Sequence, residues 1–397
     1  MIGSLHVGIF NPNTLYRANG QYTTDGSVLN LYQRWEGYFK QIDICSPVVP
    51  GQKTGSINVS SAFDVIPLHQ WTNPWTFRTL ELPPLLYDIW QAFKNHHQNW
   101  DFVLIPTTDI FGQAVYSVAS SFNIPVVIYL RGNIINEILA GHEGIIRVVA
   151  LLWTQYLDRA VNRIVRDSAV ITAGDKLKQE YKELAGCIES IVPSLVNRDD
   201  IVTPDTRTYP DGEDPIKVLY LGRLVKYKRV QDVLKAMAEL RPHPRAYEFE
   251  VVGDGPYREA LERTANNLGI AEDVRFTGYV SHDNVYDSYD RADIFVLPSS
   301  SEGSPKTIPE ALARGCPAVA SAVGNIPSLL AGETGITYDV GDVDALVDAL
   351  DRLGTDEEYW RTLVRRGVAR ASQFTAETQV KAIEHVLSDT YPELCDS

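Results

Sequence analysis

No apolar run in this sequence approaches the roughly 20 residues that a membrane helix needs. Cysteine is scarce: four among 397 residues. They are Cys45, Cys187, Cys316 and Cys395, far apart and without a C-x-x-C pair. That spacing points to reduced thiols in a cytosolic setting and offers no zinc motif. Basic residues are also in short supply, 36 Lys and Arg against 51 Asp and Glu, for a net charge of −15. Nucleic acid is therefore not an expected partner, because phosphate binding needs a basic face. The acidic surplus reads as a solubility device or as adaptation to high salt. The opening MIGSLHVGIF has no basic n-region and no cleavage-site pattern, so no secretory signal is expected. Nor is there a complete G-x-G-x-x-G. Gly253-Asp254-Gly255-Pro256 lacks the third glycine and the acidic residue that dinucleotide binding needs, so these glycines read as mainly structural.

What is present is a repeated pattern of short apolar strands, small-residue loops and helices. A chain of 397 residues exceeds one ordinary core, so two domains are expected. Residues 6–10, 42–45, 101–106, 125–130, 168–173 and 188–196 read as strands of a first Rossmann-like half, 1–196, with a helix over 28–39. Residues 197–214, polar and rich in Pro and Asp, read as a linker. The pattern restarts at 216–221, giving a second half over 215–372. A final helix lies within 373–397.

The stretch from Leu297 to Pro327 organises the second half. A strand closed by Pro298 leads into Ser299-Ser300-Ser301-Glu302-Gly303-Ser304-Pro305. Thr307 then reads as an N-cap with Glu310 three residues on, as in a capping box. Gly315 and Pro317 end the helix. Strand, loop and helix N-terminus in that order make an anion site.

The spacing E-x7-E from Glu302 to Glu310, within S-x-x-E-G-x-P and E-A-x-A-x-G-x-P, resembles the donor-binding motif of glycosyltransferase family 4. Those are retaining enzymes of the GT-B fold: two Rossmann-like doubly wound α/β domains face a cleft, and a C-terminal helix crosses back to brace the first. The resemblance implies that Glu310 holds the ribose of a nucleotide-sugar donor. It places Glu302 by the donor sugar and the backbone of Gly303, Ser304, Pro305, Lys306 and Thr307 around sugar and phosphate. Gly222-Arg223-Leu224 with Lys228 is similar to the family's G-R-L…K-G stretch, except that Arg229 stands where glycine is usual. There Arg223 and Lys228 neutralise the leaving diphosphate, chemistry that fixed cations perform without a metal. The loop at Val280 lies by the base. Ser328 departs from G-G-x-P-E, where glutamate is common. Asp342-Val343-Asp344 is a D-x-D only in spelling, and either aspartate can cap the helix that follows. Neither cofactor nor metal is expected.

The first half resembles the family mainly by order of elements. Gly20, in the loop after the first strand, is the candidate for a glycine-rich loop at the donor phosphates, though Gly20 and Gly26 also read as turn glycines. Thr108, Asp109, Arg131 and Asn133 follow strand ends, where doubly wound sheets bind ligands, and are candidates for acceptor or phosphate contact. Arg131 stands near the point where the family often has histidine. Trp71 and Trp75 are candidates for stacking on a sugar. Residues 144–166 form an amphipathic helix bearing Arg147, Arg159, Arg163 and Arg166. It fits an anionic cytoplasmic membrane face, or a helix packed on the sheet with its arginines in solvent. The implied activity is sugar transfer from a UDP- or GDP-sugar to a glycan or lipid-linked acceptor. A nucleotide-sugar epimerase, a sugar phosphorylase and a catalytically silent partner subunit are the alternatives.

Overall fold

The computed structural model describes residues 2–24, 28–51, 57–70, 82–132, 157–212, 214–281 and 284–394. The chain forms two compact units, residues 1–192 with 377–397, and residues 193–376. Among the described residues no helix is long and apolar enough to cross a membrane.

The first unit is built on β1 (His6–Phe10), β2 (Leu15–Ala18), β3 (Gln21–Thr24), β4 (Gln41–Pro50), β5 (Ile57–Asn58), β6 (Asp64–Leu68), β7 (Phe102–Ile105), β8 (Val126–Leu130), β9 (Ala169–Ala173) and β10 (Ile188–Ile191). Their order is β10-β9-β8-β7-β1-β4-β2-β3-β5, with β6 on β4. The central pairs are parallel, with Gly8 of β1 opposite Asp43 on one side and Val103 on the other. β7 and β8 are buried along their whole length, the reading expected of strands covered on both faces. Gly8 makes room for an indole: a Cβ there would meet the Trp100 ring at 2.9 Å. Trp100 donates to the buried Asp43 carboxylate at 2.8 Å. It also stacks edge-on against Phe10 and Phe93. The first helix is shorter than 28–39, covering only Val28–Gln33.

The closing helix, Ala376–Thr390, packs into this unit. It buries Val380, Ile383, Val386 and Leu387. Gln379 accepts from the Trp35 indole at 2.8 Å and donates to the Val192 carbonyl at 2.8 Å.

The second unit is a parallel sheet of β11 (Ile216–Leu221), β12 (Tyr247–Val252), β13 (Val274–Gly278), β14 (Ile294–Leu297), β15 (Ala318–Ser321) and β16 (Ile336–Tyr338). The order β13-β12-β11-β14-β15-β16 is the 3-2-1-4-5-6 winding of a nucleotide-binding sheet. Residues 197–214, read from sequence as a linker, lie within this unit. The Arg207 guanidinium donates to the carbonyls of Tyr289, Asp290 and Ala292, and Val202 donates to Ala313 at 2.9 Å. Polar composition hid this, because the segment is held by the Arg207 side chain and a backbone hydrogen bond rather than by apolar burial.

Arg229 stands in the left-handed region, φ +52°, which explains why glycine suits this position. Its Nε reaches Asp232 at 2.6 Å, and the Asp232 side chain is 4% exposed. Replacing Arg229 with glycine relieves about 1 kcal/mol of backbone strain but strands a buried carboxylate, a larger penalty of about 3 kcal/mol in comparable pairs. Arg229→Gly is expected to lower stability by about 1–2 kcal/mol, or several degrees in Tm. A Tm equal to or above wild type would show that strain outweighs the pair.

Burial pushes the phenols of Tyr32 and Tyr129 in the first unit, and Tyr220 and Tyr289 in the second, above the ordinary tyrosine range. A group raised on folding stabilises the fold fully below its unfolded value, about 10 for tyrosine, and loses that contribution as pH rises toward the folded value. Stability should therefore not vary with pH through these groups near neutrality, and should fall above about pH 10. Tyrosinate absorbance followed alongside circular dichroism checks this. A sizeable tyrosine fraction should ionise only as the fold is lost.

Candidate functional site

Three loops meet at the carboxyl ends of β11, β12 and β14, where doubly wound sheets collect ligands. The loop after β12 approaches the loop after β11 main chain to main chain. A Cβ at Gly253, where φ is +134°, would stand 1.9 Å from the Gly222 carbonyl oxygen. Leu224 donates to Asp254 at 2.9 Å and Tyr257 to Leu224 at 3.0 Å. These contacts give Gly253 the structural part its sequence context suggested. The loop after β14 joins from the other side, with Ser300 N and Oγ both donating to the Tyr227 carbonyl, at 2.8 and 3.0 Å. Gly324 completes the clamp. A Cβ there would stand 1.9 Å from the Glu302 carbonyl oxygen. The next residue, Asn325, donates to the Gly303 carbonyl at 2.9 Å and to Ser304 Oγ at 3.3 Å.

This stapling sets Glu302 against Lys228. Lys228 Nζ lies 2.5 Å from Glu302 Oε1, with the two side chains 16% and 10% exposed. Ser299 Oγ donates to the same oxygen at 2.6 Å. Such charge-assisted bonds fix geometry more firmly than neutral ones. Beneath them Tyr220 donates to the Arg223 carbonyl at 3.1 Å. Burial, and then the charge of Glu302, push its phenol up, so Tyr220 remains a proton donor. The Arg223 side chain is exposed, and its guanidinium makes no hydrogen bond or ion pair among the described residues.

Glu310 does not form the capping box read from the sequence. The helix Thr307–Ala313 is capped by Lys306, without a side-chain cap bond, so Glu310 lies one position too far along. It is 3% exposed, and its Oε2 accepts from the Tyr289 hydroxyl at 3.1 Å. That hydroxyl also lies 3.3 Å from the Thr307 carbonyl. Burial, then the Glu310 charge, push the Tyr289 phenol well up, which keeps its proton available to the carboxylate. Sequence reasoning missed Tyr289 and Ser299. Tyr289 comes from the preceding helix, Val285–Arg291, and only the fold brings it to Glu310.

Gly222 lies at the end of β11 within this corner. Gly303 is exposed, Pro305 buried, and Ser304, Lys306 and Thr307 half-buried along the same loop. Val280 is half-buried just beyond β13, two strands away from β11 in the sheet. It follows Tyr279, which is 74% exposed. Asp342, as expected, caps a helix, its Oδ1 accepting from Ala345 at 3.0 Å.

The first unit places its candidates differently. Gly20 closes a two-residue hairpin turn with Asn19, at φ +79° and +51°, between paired Ala18 and Gln21. This is the primed turn that Asn-Gly favours, and it joins two strands instead of opening a helix onto phosphate. Asp109 caps the helix Ile110–Ser121, accepting from Gly112 at 3.0 Å. Burial raises its carboxyl, partly offset by hydrogen bonds from the backbone of Gly112 and the side chain of Thr107. Arg131 lines a cavity of about 270 Å³ with Pro12, Pro106, Thr107, Thr108 and Tyr129. The cavity opens where the chain's winding reverses between β1 and β7. Asn133, Trp71, Trp75 and Gly26 lie outside the described residues, as do residues 144–156 of the basic helix. Residues 157–167 are helical and bury Leu157, Val161, Ile164 and Val165, with Arg159, Arg163 and Arg166 exposed. Arg163 lies 3.7 Å from Asp167. This described portion follows the packed-helix reading.

Residues 205–370 match the family Glycosyl transferases group 1. The chain is similar to TuaC of Bacillus subtilis (strain 168), named for teichuronic acid biosynthesis, at 28% identity over 69% of this chain and 67% of that protein. It is similar to the GDP-mannose-dependent alpha-(1-6)-phosphatidylinositol monomannoside mannosyltransferase of Mycolicibacterium smegmatis, at 31% identity over 50% of this chain and 56% of that protein. The chain thus spans about half to two thirds of the length of these relatives. Among solved structures, Anabaena Alr3699/HepE in complex with UDP superposes with a TM-score of 0.70 at 16% identity, covering 97% of this chain and 99% of that one. With its 3-2-1-4-5-6 sheet and the loops that join Lys228 to Glu302, the second unit carries the segment that matches the glycosyl transferases group 1, and the chain has a GT-B fold.

Proposed function

We propose that this protein transfers a sugar from a nucleotide-sugar donor to a glycan or lipid-linked acceptor, with retention of configuration and without a metal ion, in the manner of glycosyltransferase family 4. The observation that carries the reading is the corner formed by Lys228, Glu302 and the buried Glu310–Tyr289 pair. Glu310, its Oε2 oriented by the Tyr289 hydroxyl, is the acceptor assigned to a neutral diol such as a ribose. Lys228 and Arg223 supply positive charge where a nucleoside diphosphate departs, and stabilising that leaving group is the largest catalytic contribution such a site offers. Glu302, anchored by Lys228 and Ser299, positions the donor sugar, and the loop at Val280 faces the base. The acceptor hydroxyl then attacks from the face the diphosphate leaves. A nucleotide-sugar donor is supported by the relative named as GDP-mannose-dependent and by the UDP in the Anabaena structure. In the first unit, Arg131 at its cavity is the residue assigned to an anionic part of donor or acceptor.

Calorimetry against UDP-, GDP- and ADP-sugars, with and without EDTA, tests this. One nucleotide sugar should bind in the presence of EDTA, and Glu310→Ala should weaken it at least tenfold. Lys228→Ala should lower kcat/KM about 10²–10³-fold. Absence of nucleotide binding would overturn the reading in favour of a silent partner subunit. Sugar release that depends on inorganic phosphate would favour a phosphorylase.

A further inference from the structure

Cys187, His385 and Asp389 converge on the surface of the first unit, away from every residue assigned above. Their ligand atoms all lie within 4.8 Å of one another. Cys187 Sγ is 3.6 Å from Asp389 Oδ2, and His385 Nε2 is 3.9 Å from the same oxygen. Glu189 Oε1 lies 3.6 Å from His385 Nε2. A tetrahedral zinc ion with ordinary bonds separates its ligand atoms by about 3.3–3.8 Å, so small rotations bring these groups onto one ion. The elements present them in register. His385 and Asp389 are four residues apart on one face of the closing helix. Cys187 stands immediately before β10, and Glu189 is the second residue of that strand. Lys178 holds the other Glu189 oxygen at 2.8 Å.

We infer that Cys187, His385 and Asp389 form a binding site for a thiophilic divalent cation, zinc above all, which clips the closing helix to edge strand β10. Sulfur, imidazole and carboxylate together suit zinc and not magnesium or calcium, which take oxygen. The fourth position is left to solvent, with Glu189 adding negative charge beside it. Thiolate is the form of cysteine that binds metal, so binding releases the Cys187 proton to solvent. No zinc motif is visible in the sequence because Cys187 and His385 are 198 positions apart, a separation only the fold closes.

The test uses the full chain, reduced and stripped with chelator, titrated with Zn²⁺ by calorimetry and with Co²⁺ by absorbance. One equivalent should bind, and Co²⁺ should give the near-ultraviolet sulfur-to-cobalt charge-transfer band with intense tetrahedral visible bands. At about 100 times the dissociation constant, Zn²⁺ should raise Tm by about 5 °C or more. Cys187→Ser should abolish the charge-transfer band, and both it and His385→Ala should weaken Zn²⁺ at least tenfold while leaving nucleotide-sugar binding unchanged. Absence of the band in wild type, or a Zn²⁺ shift of equal size in Cys187→Ser, would overturn the proposal and assign binding to the acidic surface.

Discussion

Everything in the second unit's functional corner depends on how closely loop backbones approach one another. The loop after β12 meets the loop after β11, and the loop after β15 meets the loop after β14, main chain to main chain, at distances that leave no room for a Cβ at Gly253 or Gly324. Side chains do not set this spacing; they inherit it. Only because Gly324 admits the Glu302 carbonyl, and Tyr227 accepts from Ser300, does the Glu302 carboxylate come within 2.5 Å of the Lys228 ammonium. A methyl group at either glycine would move the loop by more than the tolerance of a charge-assisted hydrogen bond.

The two carboxylates of the corner are met by different chemistry. Glu302 is neutralised by Lys228 and held by Ser299. Glu310 is deeply buried, yet its Oε2 faces the hydroxyl of Tyr289. A phenol whose proton is retained can orient a carboxylate without cancelling its charge, whereas an ammonium does both. Glu302 is thereby fixed by an ammonium and a hydroxyl, and Glu310 is oriented by a phenol. A site that handles a polyanion beside neutral hydroxyls needs both conditions a few residues apart.

The sequence showed the sheets and much of the corner, because both depend on local signals. Strands such as β8 and β14 are uninterrupted apolar runs, and Glu302, Glu310, Arg223 and Lys228 sit in strings whose spacing carries information. What it hid was non-local or disguised. Tyr289 approaches Glu310 through packing of one helix against the next. Residues 197–214 looked like solvent-exposed linker, yet Arg207 ties them to the carbonyls of Tyr289, Asp290 and Ala292. Gly20 and Asp109 were of the right residue types for phosphate and acceptor work, but the first makes a hairpin turn and the second caps a helix. Turn and cap chemistry uses the same residues as ligand chemistry, and composition alone does not separate them.

The departures from the family pattern are absorbed locally. Arg229 occupies a backbone conformation that suits glycine, and the strain is offset by its reach to buried Asp232. A Cβ at Gly341 would meet that same guanidinium at 2.7 Å, so the neighbouring turn is shaped around the arginine. Ser328 sits in the short helix Ile326–Leu329, its carbonyl accepting from Arg370 at 2.9 Å. That element therefore stays anchored through its backbone, whatever side chain it carries. A corner that had stopped binding ligand would have no reason to keep Glu302, Lys228 and Glu310 aligned, since a buried ion pair contributes little net stability over apolar packing. The polar arrangement persists around the unusual residues, which are accommodated without disturbing it.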